Sequence, residues 1–309
     1  MTRAGIVIVT FNSENQILEC LDAALARSGD VVVVDNASAD ATCERVRARP
    51  RARLLANSLN RGFAAAANLG IAALDCECVL LLNPDAVLLT GIEDLVDACL
   101  RPGAAAAGGK LLDHTGRPQR GFLLRRLPTP WTLAFEALGL NRLLPRNPVN
   151  RRYRCLDLDP DQPTSAEQPA GAFLMIRRDA WREIGGFDER FHPLWYEDVD
   201  FCQRLLDRGY RLQYCPSAVA RHSGGHSIRT IPWDLRQLYW YANLLRYVAK
   251  HFSRLAVRGV SAAVLVGSIA RAMAGICAQR NLKPALIYGK VVRFAFRCLV
   301  SGLVGEVKT

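Results

Sequence analysis

The sequence lacks an apolar run long enough to cross a bilayer. A spanning helix needs about 20 such residues, and the uncharged stretch 259–270 has only twelve. The ten cysteines also lack the spacing of a disulfide framework, and the Cys76-x-Cys78 pair has no second pair or histidine that would complete a zinc site. Unpaired cysteines favour a reducing cytosol. The first apolar segment, Gly5–Val9, is too short for a signal peptide and is typical of a strand.

Acidic residues are scarce in two segments of the chain. Residues 117–154 contain nine basic side chains and one acidic side chain, and residues 244–309 contain eleven and one. Residues 1–116 and 155–243 have net charges of −4 and −3, so the total of +11 comes from two basic regions on an acidic body. Because DNA- and RNA-binding motifs are missing as well, this distribution indicates a defined anionic surface or ligand, and nucleic acid is not an expected partner.

The N-terminal third alternates short apolar runs with helical periodicity. The pattern predicts strands at 5–10, 31–35, 53–56 and 78–82, with helices at 14–27, 40–48 and 63–74. Such alternation with short connections predicts an α/β fold with a doubly wound, mostly parallel sheet and flanking helices. An Arg- and Pro-rich insertion follows at about 113–169, with one helix near 131–143, and then a buried strand at 171–176.

Polar side chains follow three of the predicted strands. Thr10 and Asn12 follow the first strand, Asp35 and Asn36 follow the second, and Asp85 follows the fourth. Ligands of open α/β sheets bind at the carboxyl ends of the strands. The sequence therefore predicts a ligand site at this edge of the sheet.

Each of these motifs also has a purely structural interpretation. Asp35 could accept hydrogen bonds from a base or ribose, or it could cap the next helix. Asp85, in the sequence Asn-Pro-Asp, could bind a divalent cation that also contacts substrate phosphates, or it could form a turn. Asn60, Gly62 and Asn68 could cradle a nucleotide-sugar, or they could belong to a strand-to-helix loop.

Three carboxylates occur within four residues, at Glu197, Asp198 and Asp200, directly after Trp195 and Tyr196. Neighbouring carboxylates raise each other's pKa and an aromatic wall desolvates them, so one of them could serve as a general base. The alternative is the acidic first turn of a helix. Asp200 is expected to cap that helix. The two aromatic residues could form a platform for an acceptor sugar, or they could belong to the core.

Taken together, these segments resemble family 2 glycosyltransferases, and their order and spacing resemble the rhamnosyltransferase-like branch. The resemblance covers about residues 5–250 and is carried by Val9–Asn12, Val34–Asp40, Asn60–Gly70, Leu82–Ala86, Gly185–Phe191 and Tyr196–Asp200. It implies a GT-A fold, an inverting mechanism, a nucleotide-diphosphate sugar donor, and Mg²⁺ or Mn²⁺ as cofactor.

The resemblance also implies roles for individual residues. Asp35 is assigned to the nucleotide, Asp85 to the metal-diphosphate unit and Asp198 to the catalytic base, while Glu197 orients the loop or the acceptor. The remaining residues assigned to the donor segments are Thr10, Asn12, Asn36, Asn60, Gly62 and Asn68.

The metal site departs from the Asp-x-Asp of the wider superfamily. Asn83 stands at its first position, so we expect donor oxygens and water to supply most of the metal ligands. His222 is the expected additional ligand, because related enzymes have a histidine after the acidic motif. His226 is expected to be an ordinary loop histidine.

The C-terminal part of the sequence predicts helices after Pro232. On a helical wheel Lys283, Lys290, Arg293 and Arg297 share an arc of roughly 80° at about 100° per residue. A basic stripe beside an apolar face is typical of a helix in a membrane interface. The alternative is a helical hairpin packed on the catalytic domain. We expect residues 1–250 to form the catalytic domain and residues 251–309 to associate with an anionic membrane surface.

These features predict a cytoplasmic enzyme, peripheral on the inner face of the cell membrane, that transfers a sugar to a polyprenyl-diphosphate-linked saccharide. The branch favours dTDP-L-rhamnose, with UDP- or GDP-sugars as alternatives. The insertion supplies arginines for the lipid diphosphate or headgroups, namely Arg117, Arg120, Arg125, Arg126, Arg142, Arg146, Arg151, Arg152 and Arg154.

The sequence argues against two other functions. A sugar-nucleotidyltransferase would need a Gly-rich, basic loop after the first strand, which residues 10–15 do not provide. A catalytically silent nucleotide-sugar-binding scaffold at the membrane would not need both Asp85 and Asp198.

Overall fold

The computed structural model describes residues 2–224 and 231–302, so His226 lies outside the described residues. Its contacts divide the chain into two units. The first contains the residues up to Leu127, Arg154–Pro193 and the described residues from Glu197 to Gly224. The second contains Pro128–Tyr153, Leu194–Tyr196 and the described residues from Ile231 onward. The insertion therefore contributes to both units. The predicted boundary at residue 250 concerned function and stays a prediction.

The first unit is built on a nine-stranded sheet. Its strands, with the small β7–β9 pair, are β1 (Thr2–Thr10), β2 (Val31–Asp35), β3 (Ala52–Ala56), β4 (Cys76–Leu82), β5 (Ala86–Thr90), β6 (Ala104–Leu112), β7 (Leu124–Arg125), β8 (Thr164–Ala166), β9 (Gln168–Pro169), β10 (Phe173–Arg177) and β11 (Arg211–His222). The order across the sheet is β3-β2-β1-β4-β10-β6-β11-β5, with β8 beside β11.

The helices of the first unit flank this sheet. They are α1 (Ile17–Leu25), α2 (Thr42–Arg47), α3 (Phe63–Ala72), α4 (Ile92–Leu100), α8 (Arg178–Glu183) and α9 (Glu197–Asp207). Gly70 lets α3 approach the sheet closely, because a Cβ atom at this position would lie 2.5 Å from a methyl carbon of Val7. The strand Val31–Asp35 is buried throughout, as expected for a strand covered on both faces.

The predicted strands and helices of the N-terminal third are all present, and the α/β class with a mostly parallel sheet is confirmed. The parallel order runs unbroken through β3, β2, β1 and β4. The buried strand predicted at 171–176 is β10, which runs antiparallel to both of its neighbours, β4 and β6. The direction of this strand was not predicted, since a short apolar run carries no information on direction.

The second unit is helical. Its helices are α5 (Pro130–Leu138), α6 (Leu140–Leu143), α7 (Pro148–Tyr153), α10 (Trp233–His251), α11 (Arg254–Gln279) and α12 (Lys283–Ser301). The helix predicted near 131–143 is interrupted at Gly139, whose φ of 79° ends α5 and starts α6. Gly267 brings α11 against α5, because a Cβ atom there would lie 2.0 Å from the carbonyl oxygen of Ala137.

The C-terminal helices pack on one another and leave a mixed outer face. The inner face of α12 is buried at Tyr288, Val291 and Ala295, while its predicted basic stripe is exposed. By length and composition α11 could cross a membrane, a test that core helices of soluble proteins also pass. The uncharged run 259–270 underestimates the apolar length of this helix, because two arginines, Arg258 and Arg271, interrupt an otherwise apolar segment.

Candidate active site

Asp35 holds the loop that follows β2. Its side chain is buried, and its Oδ1 accepts a hydrogen bond of 2.9 Å from the hydroxyl of Thr10. The Ser38 amide donates to Oδ2 at 2.9 Å, and the Ser38 hydroxyl donates to Oδ1. The carboxylate therefore joins the ends of β1 and β2, which lie side by side because the two strands pair in parallel.

Asn12 joins the same two loops from the other side. Its backbone amide donates to the Ser38 hydroxyl at 2.8 Å, and its side-chain oxygen accepts from the amide of Ala39 at the same distance. Asn12 has a φ of 49° and Ala37 a φ of 63°, so both loops turn sharply through left-handed backbone. The predicted donor residues Thr10, Asn12 and Asp35 are thus assembled into one rigid rim.

Asn36 and Asn60 shape the entrance to α3. The side-chain amide of Asn36 donates to the carbonyl oxygen of Gly62 at 3.1 Å, and Asn60 accepts from the Gly62 amide at 2.9 Å. Gly62 has a φ of 83°, a backbone conformation that favours glycine. A Cβ atom there would lie 3.0 Å from the His192 ring and 3.1 Å from the carbonyl oxygen of Pro193. These contacts bring the loop at 60–63 against the segment that precedes the acidic motif.

The side chain of Asn68 forms hydrogen bonds with other residues of the chain. Its amide group donates to the carbonyl oxygen of Phe187 at 2.9 Å, and its oxygen accepts from the Phe187 amide at 2.8 Å and from the Trp181 indole at 3.2 Å. This pairing fixes the Gly185–Phe187 turn to α3. The contacts are those of a positioning residue, and a direct contact with a donor stays a prediction.

Asp85 and His222 form a buried pair at the ends of β5 and β11. The His222 Nε2 atom lies 3.4 Å from Asp85 Oδ1, and both side chains are almost completely buried. The two strands are neighbours in the sheet, with His222 paired to Ala86. The two predicted metal ligands, distant in sequence, are therefore adjacent.

Two residues that the sequence analysis did not single out orient His222. The Gln119 side chain lies 3.1 Å from Nδ1 and donates to the His222 carbonyl oxygen at 2.8 Å. The Phe122 ring stacks on the imidazole with centroids 5.2 Å apart and an angle of 6° between the rings. Both lie in the irregular insertion, where neither periodicity nor a motif marks them.

The donor set suits a divalent cation. His222 Nε2 is buried and has no hydrogen-bond partner among the residues that the structure describes, while Nδ1 is held by Gln119. A histidine with one nitrogen oriented by a second group and the other turned toward a carboxylate has the arrangement found around bound metals. Among described residues no group of three or more His, Cys, Asp or Glu side chains occurs, so other ligands would have to come from substrate or water.

Asp198 lies in the first turn of the helix α9, and its carboxylate is partly accessible. Its Oδ1 accepts a hydrogen bond of 2.8 Å from the Val199 amide. Burial raises the pKa of Asp198 above its ordinary value, and the positive charge of Arg125 opposes this rise. The result is a carboxylate more basic than usual, which suits a general base.

The loop before β10 connects the base to the metal loop. A Cβ atom at Gly171 would lie 3.0 Å from the Asp198 Cβ, a tight contact that glycine avoids. The next residue, Ala172, accepts a hydrogen bond of 3.0 Å from the amide of Asn83, two residues before Asp85. The predicted base and the predicted metal ligand are thus linked through one short segment of main chain.

Glu197 and Asp200 have different surroundings from Asp198. Glu197 is buried, and its Oε2 has no hydrogen-bond partner among described residues. Burial raises the pKa of Glu197 well above its ordinary value, and the charge of Asp198 adds to the rise. Asp200 is not the helix cap that we expected: it lies inside α9, fully buried, and accepts a hydrogen bond of 2.8 Å from Arg204.

Trp195 and Tyr196 belong to the second unit. Both have left-handed backbone, with φ of 76° and 71°, which costs on the order of 1–3 kcal/mol for each bulky residue. Tyr196 is buried against Trp240 and Tyr247, at centroid distances of 6.4 and 5.7 Å. Tyr196 therefore has the contacts of a core residue, whereas Trp195 is partly accessible. For both residues, a role in binding the acceptor stays a prediction.

The buried Glu197 carboxyl predicts a pH-dependent stability. Because its folded pKa is raised, the folded state binds the proton more tightly than the unfolded state, and stability falls as pH rises from about the ordinary pKa through the folded pKa. Glu197→Gln removes this loss, which is about 1.4 kcal/mol of unfolding free energy for each unit by which the folded and unfolded pKa differ. Thermal melts from pH 4 to 8 should show the melting temperature of the variant rising relative to wild type with pH.

Glu77→Gln, which changes an exposed glutamate on β4, is the matched control and should leave the pH dependence unchanged. A constant difference between Glu197→Gln and wild type over the whole pH range would contradict the raised pKa.

Comparisons with known proteins agree with this geometry. The family model of glycosyl transferase family 2 matches residues 5–185, and that of glycosyl transferase family group 2 matches residues 163–303. The chain is 33% identical, over 243 residues, to the N-acetylglucosaminyl-diphospho-decaprenol L-rhamnosyltransferase of Mycobacterium tuberculosis, and the match covers 72% of this chain and 76% of the relative.

Two solved structures share the fold at low sequence identity. GalNAc-T7 with UDP, GalNAc and Mn²⁺ has a TM-score of 0.57 at 14% identity, covering 80% of this chain and 48% of the other. The mannosyltransferase PcManGT from Pyrobaculum calidifontis, in complex with GDP-Man and Mn²⁺, has a TM-score of 0.52 at 16% identity, covering 97% and 85%. The predicted GT-A fold is confirmed. The chain therefore belongs to glycosyltransferase family 2, in its rhamnosyltransferase-like branch, and it is a glycosyltransferase.

Proposed function

We propose that this glycosyltransferase transfers L-rhamnose from dTDP-L-rhamnose, with inversion, to a polyprenyl-diphosphate-linked saccharide in the synthesis of a cell-envelope polysaccharide. The observation that carries the proposal is the link between Asp198 and the Asp85–His222 pair through Gly171 and Ala172. A basic carboxylate next to an anion-binding metal site is what a single displacement at an anomeric carbon needs.

The donor end of the site is formed by the loops after β1 and β2 with Asn36, Asn60 and Gly62. Asp35 keeps this rim rigid and presents main-chain and hydroxyl groups of its loop to a nucleotide. Asp85 and His222 would hold Mg²⁺ or Mn²⁺, and a metal there supplies positive charge that stabilises the departing diphosphate. Gln119 fixes the orientation of the histidine for this task.

The acceptor end depends on Asp198. Its carboxylate takes the proton of the attacking hydroxyl group while that oxygen forms the bond to the anomeric carbon and the bond to the diphosphate oxygen breaks. Because the pKa of Asp198 is raised, it lies closer to the working pH, where a general base is most effective. Glu197, with a pKa raised further, favours its neutral form and so spares Asp198 a second negative charge at close range.

A membrane location is supported by the second unit. Its segments contain 16 Lys and Arg against 3 Asp and Glu, whereas those of the first unit contain 24 against 26. Of the sixteen large apolar side chains exposed on described residues, thirteen belong to the second unit, among them Trp131, Leu143, Leu255 and Leu286. Basic and apolar surface together favour the inner, anionic face of the cell membrane.

The sugar and the acceptor are proposed from the relative of Mycobacterium tuberculosis, whose name specifies L-rhamnose transfer to N-acetylglucosaminyl-diphospho-decaprenol. The enzyme of this chain would use the same two classes of substrate, a rhamnose nucleotide and a lipid diphosphate carrying a sugar.

The first test concerns the base. Asp198→Asn keeps the size of the side chain but removes its basicity, so the transfer rate under chemistry-limited conditions should fall by about 10² to 10⁴. The affinity for dTDP, measured by calorimetry, should change little. Asp207→Asn, at the other end of the same helix, should keep full activity. Near-full activity of Asp198→Asn would show that another group is the base.

The second test concerns the metal. In the wild type, Mg²⁺ or Mn²⁺ should strengthen dTDP binding relative to EDTA, and Asp85→Ala should abolish this gain. Gln119→Ala, which frees His222 to rotate, should weaken apparent metal affinity by about 10- to 100-fold. The exposed Asp97→Ala serves as control. Equal dTDP affinity with and without metal, in wild type and variant alike, would remove Asp85 from the metal site.

A further inference from the structure

A pocket of 320 Å³ lies within the helical second unit. Its wall includes the α5–α6 turn and the helices α10 and α11, and Trp195 also lines it. This volume is at the lower end of the range for small-molecule sites. It suits a compact polar group rather than a lipid chain.

The pocket is cationic. Arg142, Arg236 and Arg271 line it, against one carboxylate, Glu136. The Oε1 of Glu136 accepts a hydrogen bond of 2.9 Å from Asn141. The surplus of guanidinium groups, which match phosphate oxygens in geometry, favours an anion with several oxygens.

Two of these arginines differ in how their donors are used. The Arg271 guanidinium donates to the carbonyl oxygens of Glu136 and Ala137, at the C-terminal end of α5. Arg236 Nε is buried and has no hydrogen-bond partner within the described ranges. A buried donor without an acceptor is rare in proteins, and a bound phosphate oxygen would satisfy it.

Aromatic rings complete the lining. Trp240 packs edge-to-face against Tyr241 with centroids 4.8 Å apart, so its orientation is fixed. Trp195 is held in left-handed backbone and precedes Asp198 by three residues. Flat indole faces beside guanidinium groups suit a sugar ring attached to phosphate. Exposed apolar side chains lie at the ends of α5 and α6, namely Leu138, Leu143 and Leu144.

We infer that this pocket binds the diphosphate, with its first sugar, of a lipid-linked acceptor. The inference rests on the proposed function and gives it a second anion site, separate from the one that takes the nucleotide diphosphate. It also revises the expected role of the Arg-rich insertion. Arg142 comes from the insertion, but Arg236 and Arg271 come from the C-terminal helices.

The test measures binding without transfer, on the full chain in detergent and in the absence of donor. Farnesyl diphosphate is the probe, with farnesol as its neutral counterpart. Arg236→Gln and Arg142→Gln should each raise the dissociation constant of farnesyl diphosphate about tenfold, or about 1.4 kcal/mol. Arg293→Gln, an exposed arginine on α12, is the matched control and should change it less than twofold. The affinity for dTDP with Mg²⁺ should be unchanged in all three variants.

The competitors separate the possible sources of the anion. Inorganic diphosphate should displace farnesyl diphosphate, and farnesol should not. Displacement by phosphatidylglycerol vesicles would point to a headgroup site and overturn the inference, as would equal losses in Arg236→Gln and Arg293→Gln. A loss of dTDP affinity in Arg236→Gln would assign the pocket to the donor. Because no turnover is measured, failure of sugar transfer would leave this result standing and would count only against the proposed function.

Discussion

The site depends on one strand, β10, inserted antiparallel between β4 and β6. The main chain just before it bonds to the metal loop at Asn83 and touches the base at Gly171. Because β10 is paired on both sides and buried, this segment cannot shift without breaking two ladders of hydrogen bonds. The predicted metal ligands and the predicted base, which come from three separate segments of the sequence, are thereby held in one arrangement.

The two units of this chain differ in charge and in exposed apolar surface. The first unit has nearly balanced charge, and polar side chains such as Asp35, Asn12 and Asn68 fix its loops. The second unit has a large excess of positive charge, with 16 Lys and Arg against 3 Asp and Glu, and most of the large apolar side chains exposed on described residues. The proposed transfer from a soluble nucleotide-sugar to a lipid-bound acceptor would use both kinds of surface.

Much of this could be predicted from the sequence, because parallel strands with short connections leave a clear pattern and because Asp85, His222 and Asp198 lie in recognisable motifs. The partners of these residues could not be predicted. Gln119 and Phe122 lie in an irregular segment, and their contact with His222 spans about a hundred residues. Asp200 fits a cap by sequence, but its burial beside Arg204 is decided by tertiary packing. The Arg-lined pocket likewise arises only when three helices meet.

The most direct test of the account is the release of nucleotide diphosphate from a panel of dTDP-rhamnose, UDP-hexoses and GDP-mannose, with Mg²⁺ or Mn²⁺. Each donor would be tested with and without a short lipid-diphosphate saccharide. The account predicts release from dTDP-rhamnose that depends on the acceptor. Release that is equal with and without acceptor, or no release from any donor while the nucleotide binds, would contradict it.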